Sequence, residues 1–113
     1  MDDLSQQAFM NHIGGAWVPS ATGRTAPNLN PADTSDVVGL FPVSDAEDAR
    51  RAVEAADAAF AAWRDTPISK RAAILFRAAQ YLEDHADAFA RELTREEGKG
   101  LNLAKDEVLR SAQ

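Results

Sequence analysis

Residue 44 divides this chain into two kinds of sequence, and that division restricts the available folds more than any other feature. Before Ser44 the apolar residues come in short runs broken by Gly, Pro and Asn; after it they recur every three or four positions almost to the end. A strand repeats every second residue on one face and a helix every 3.6, so the first part reads as strands and turns and the second as helices.

Residues 9–13 and 16–18 flank Gly14-Gly15, a two-residue connection suited to the positive φ of a tight hairpin turn. Residues 20–23 form a second turn signal, and residues 25–29 can return as a strand. The polar stretch 30–36, with Pro31 inside it, reads as a loop, and residues 37–43 as a largely buried strand. These pieces, over about residues 9–43, predict a small antiparallel meander.

Ser44-Asp45-Ala46-Glu47 has the S-x-x-E form of a capping box. Ala49, Val53, Ala56, Phe60 and Trp63 then mark one apolar stripe, which predicts a helix over about residues 45–64. Thr66-Pro67 stops it and opens the next, since proline suits a first helical turn. Ala72, Leu75, Phe76, Ala79, Leu82, Ala86, Phe89, Ala90 and Leu93 predict one longer helix ending near Glu97, and a third pattern starts near Asn102. That pattern still runs at Gln113, so the sequence is expected to continue.

Gly98-Lys99-Gly100 places a lysine between two glycines, as phosphate loops do. Such a loop needs G-x-x-x-x-G-K-[ST] between a strand and a helix N-terminus. Here the first glycine and the Ser/Thr are missing, and the segment follows a helix, whose terminal carbonyls repel anions. The expectation is a glycine cap with a lysine beside those carbonyls.

Eighteen acidic against 12 basic residues give a net charge of −6, with no basic stripe, which argues against nucleic acid or an anionic membrane as partner. The start has no signal-peptide pattern and no segment has the length of an apolar span, so a cytoplasmic location is expected. Cysteine is absent, which removes disulfides and a thiol nucleophile from these residues. His12 and His85 read as surface residues. The acidic groups Asp2-Asp3, Asp45/Glu47/Asp48 and Glu96-Glu97 read as helix-end charges or as solvated pairs, with Glu47–Arg51, Asp87–Arg91 and Asp106–Arg110 at helical spacing. Neither G-x-S-x-G nor G-x-G-x-x-G occurs, so these residues encode no self-sufficient active site.

Taken in order, Ile13-Gly14-Gly15-Ala16-Trp17, Thr22-Gly23, Asn30-Pro31-Ala32, the helix ending Ala58-Ala59-Phe60-Ala61-Ala62-Trp63, the R-x-x-I-L-x-x-x-A stretch from Arg71 to Ala79, and Glu96-Glu97-Gly98-Lys99 form a pattern. From about Asn11 to Gln113 it resembles the N-terminal portion of the NAD(P)-dependent aldehyde dehydrogenases. Gly100 stands where relatives often carry proline.

The resemblance implies an α/β parent with a Rossmann-like fold, of which residues 1–113 are the N-terminal part of the cofactor-binding domain, mainly helical over about residues 45–113. It implies a homo-oligomeric parent that oxidises an aldehyde to a carboxylic acid with NAD or NADP. In that chemistry a cysteine thiolate attacks the carbonyl, hydride leaves to the nicotinamide, and a glutamate-activated water releases the acid. None of those residues matches a position here, so this segment is expected to be inactive alone and to bind no cofactor. One ligand site carries over: a monovalent cation held by the backbone carbonyls of Asn28 and Leu29 and the carboxylate of Glu96, where relatives usually have aspartate. The alternative is a free-standing helical interaction module of the same ancestry, using its apolar stripes to bind a partner.

Overall fold

The computed structural model describes residues 8–113, which fall into two units: residues up to Leu29 with Ser35–Asp65, and Asn30–Thr34 with Thr66–Gln113. The element order is β1 (Asn11–Ile13), β2 (Ala16–Val18), β3 (Thr25–Asn30), β4 (Asp33–Pro42), α1 (Ala46–Asp65), α2 (Ile68–Asp84), α3 (Ala86–Glu97) and α4 (Leu101–Ser111).

In the first unit β1 and β2 form an antiparallel hairpin in which His12 faces Trp17, with Gly14 and Gly15 both at positive φ (61° and 82°). β3 and β4 pair separately, so the expected meander is two hairpins, each a two-stranded sheet. An isolated bridge between Ala8 and Leu40 and a stacked Phe9–Phe41 pair, with centroids 4.5 Å apart, tie Ala8 and Phe9 to β4.

The cap of α1 lies one residue later than the S-x-x-E pattern predicts. Asp45 Oδ1 accepts from the amides of Glu47 (2.9 Å) and Asp48 (3.2 Å), and Asp48 Oδ2 accepts in return from the Asp45 amide. Aspartate caps as well as serine does. Ser44 instead accepts a hydrogen bond from the Asn11 amide group.

Asp48 is 2% exposed, and the chain compensates its burial with donors. The Ser20 hydroxyl donates to it at 2.6 Å and the Ala21 amide at 2.8 Å. The Thr22 hydroxyl donates to the Val43 carbonyl beside them. The turn over residues 20–23 is thereby fastened to the first turn of α1. These bonds, the Ser20 hydroxyl foremost, hold the Asp48 carboxyl below its ordinary pKa against the opposing effect of burial.

The second unit departs most from expectation. Residues 30–36 do not form a long loop: Asn30 Oδ1 accepts from the Ala32 amide, Pro31-Ala32 turn, and Asp33 already begins β4. Asp33, Thr34 and Ser35 are exposed, so their polarity reflects a solvent-facing hairpin tip.

The single helix predicted to Glu97 is broken at His85 (φ −114°, ψ 17°). His85 Nδ1 lies 2.9 Å from the Tyr81 carbonyl, and its ring stacks on Tyr81. The break lets α3 and α4 pack as a helical pair through Ala86, Ala90, Ala104 and Val108, all buried. Tertiary packing overrides a helical periodicity that runs through the break without Gly or Pro. α2 starts from the Pro67 carbonyl, which accepts from Lys70 and Arg71, with no side-chain cap.

The C-terminal cap of α3 is as expected: Gly98 is left-handed (φ 76°) and its amide bonds the Thr94 carbonyl at 2.9 Å. A β-carbon at Gly98 would stand 3.2 Å from Pro31 Cγ. The pairs expected at helical spacing are rearranged: Glu47 meets Arg50 at 2.6 Å, Asp87 meets Lys105 of α4 at 2.6 Å, and Arg110 bonds the backbone carbonyl of Asp106.

Three outcomes follow from these contacts. Because the folded-state pKa of Asp48 is depressed, its contribution is present above the ordinary aspartate range and lost as pH falls through the folded value. Asp48→Asn is expected to lower the urea midpoint at neutral pH and to flatten its decline as pH falls through and below the ordinary aspartate range; parallel midpoint curves would contradict this. Gly98→Ala is expected to destabilise by about 1–2 kcal/mol from the left-handed backbone alone, with a smaller loss in a Pro31→Ala background. Ala90→Leu, at a site with no exposure, is expected to cost about 1–3 kcal/mol by overpacking the α3–α4 contact, measured by the same denaturation.

Candidate functional site

Chemistry requires groups to converge, and of the residues singled out in the sequence His12, Asp45 and Asp48 line one open pocket between β1 and the start of α1, while the others lie elsewhere. His12 is exposed on β1 with its ring edge-on to Trp17 at 4.8 Å, and His85 sits in the break between α2 and α3. Asp45 and Asp48 serve the cap of α1, Glu47 is paired with Arg50, and Glu97 with Lys99. Asp2-Asp3 lies outside the described residues. Among the described residues no three of His, Asp or Glu lie together as a metal ion would need.

Of the residues implied for a cation, Asn28 is half-buried and Leu29 exposed near the end of β3, in the first unit. Glu96 is exposed in the last turn of α3, in the second. Their donors are all oxygens, the type a hard monovalent cation takes.

Lys99 does not wait for a phosphate. Its Nζ pairs with Glu97 at 2.9 Å and with Glu107 of α4, and these two carboxylates, Glu107 first, raise its pKa. The ammonium, expected beside the terminal carbonyls of α3, instead ties the end of α3 to α4 through these carboxylates.

A dinucleotide pyrophosphate sits where a strand runs into the bare amides of a helix N-terminus. β4 runs into α1 in this way. Yet the amides of Glu47 and Asp48 are taken by the Asp45 carboxylate, and no glycine occupies the turn. Two carboxylates there repel phosphate, so the N-terminus of α1 does not fit the pyrophosphate of NAD or NADP.

Sequence reasoning missed the buried Ser20–Asp48 bond and the Gly98–Pro31 approach. Asp48 looked like any acid of a first helical turn, and only its burial distinguishes it. Gly98 and Pro31 were each visible as part of a motif, but nothing in the order of the chain says that the two meet.

The model of the aldehyde dehydrogenase family matches residues 17–113. Malonate-semialdehyde dehydrogenase 2 of Geobacillus kaustophilus is 44% identical over 107 residues, covering 95% of this chain and 22% of that protein. The solved succinate-semialdehyde dehydrogenase of Burkholderia pseudomallei superposes with a TM-score of 0.88 at 36% identity, over 92% of this chain and 21% of that one. An NAD-dependent aldehyde dehydrogenase of Sinorhizobium meliloti gives a TM-score of 0.88 at 28% identity, over 95% of this chain and 22% of that one. The chain therefore spans less than a quarter of the length of these relatives. With the family match running from Trp17 to the last residue, and with the hairpins, the Asn30-Pro31 turn and the glycine-capped helix all in place, this chain belongs to the aldehyde dehydrogenase family.

Proposed function

We propose that these residues are the N-terminal part of the cofactor-binding domain of an NAD(P)-dependent aldehyde dehydrogenase, and that they support that domain without performing its chemistry. The observation that carries this reading is the family match over residues 17–113 in a chain that covers only 22% of a relative 44% identical to it. The absence of cysteine and the acid-filled N-terminus of α1 agree with it, since the reaction needs a thiol and a bound dinucleotide.

The names of the relatives, malonate-semialdehyde and succinate-semialdehyde dehydrogenase, make small aldehydes bearing a carboxylate the substrate class proposed for the whole enzyme. A cytoplasmic, homo-oligomeric enzyme is part of the same reading. No helix among the described residues is long and apolar enough to cross a membrane. In the whole enzyme the carbonyls of Asn28 and Leu29 and the carboxylate of Glu96 are proposed to face a monovalent cation. Glu96→Gln should then weaken the dependence of its melting temperature on K⁺ or Na⁺, and an unchanged dependence would remove the site.

A second reading, a free-standing module, draws on the exposed apolar side chains of α1 and α2. It requires the purified 113-residue chain to be monodisperse with a dispersed NMR spectrum, whereas aggregation or molten behaviour supports a segment lacking its covering domain.

For the leading reading, the 113-residue chain is expected to produce no NADH or NADPH from malonate semialdehyde or any other aldehyde. Cofactor reduction that co-elutes with this chain and disappears in Trp63→Ala would overturn it.

A further inference from the structure

We draw no further inference here: the strongest candidate, the apolar groove between α2 and α4 lined by Ala72, Leu75, Phe76, Ala79, Leu82 and Ala112, carries nothing because nothing in the structure shows what covers it.

Discussion

The helices of this chain carry more apolar surface than its own residues cover. On α1, Val53, Phe60 and Trp63 are 68%, 58% and 44% exposed, and on α2, Ile68, Leu75 and Phe76 are 77%, 66% and 75% exposed. Fully burying such a side chain contributes about 1.5–3 kcal/mol, so six of them leave on the order of 10 kcal/mol unrealised. That is comparable to the whole net stability of an ordinary domain. No large side chain among the described residues is fully buried, and the core of the second unit consists of three alanines and a valine. The elements therefore form with this surface left in water, and covering it is what the proposed remainder of the enzyme would supply.

Specific contacts hold the elements in three places. A buried carboxylate, Asp48, draws the Ser20 hydroxyl and the Ala21 and Asp45 amides onto the start of α1. Gly98 reverses the chain after α3 and, having no side chain, admits Pro31 of the hairpin tip. Lys99 with Glu97 and Glu107, and Asp87 with Lys105, join α3 to α4 by ion pairs that are partly exposed and individually weak. Several motifs that mark the family are thus structural fastenings: the Asn30-Pro31 turn and the Gly98-Lys99 cap form one junction in the second unit.

Much of this was legible in the sequence because it depends on near neighbours. Gly14-Gly15, the stripe of α1 and the cap at Gly98 are all settled within a few residues, and each lies where periodicity and turn chemistry put it. What depends on distant partners was not legible. The apolar stripe runs unbroken through Ala86, so nothing local shows that His85 leaves the helix for α3 to meet α4. Asp33, Thr34 and Ser35 look like loop because they are polar, although they are paired in β4. Asp48 takes its burial from Ser20, nearly thirty positions away in the chain. For the candidate site the sequence spoke by omission: the missing cysteine and the missing glycine fingerprint are what the proposed division between these residues and the chemistry of their family rests on.

Hydrogen exchange distinguishes the proposed segment of a longer aldehyde dehydrogenase, in which the remainder would cover the exposed faces of α1 and α2, from a module that stands alone. The amides of Ala46–Asp65 and Ile68–Asp84 would be followed in the 113-residue chain and in a family-length chain that contains it. Exchange is expected to be slower by orders of magnitude in the longer chain, concentrated around Phe60, Trp63, Leu75 and Phe76, because covering these faces raises the free energy of local opening. Equal protection of both helices in the two proteins would contradict it and would mean that this segment is stable with its apolar faces in water.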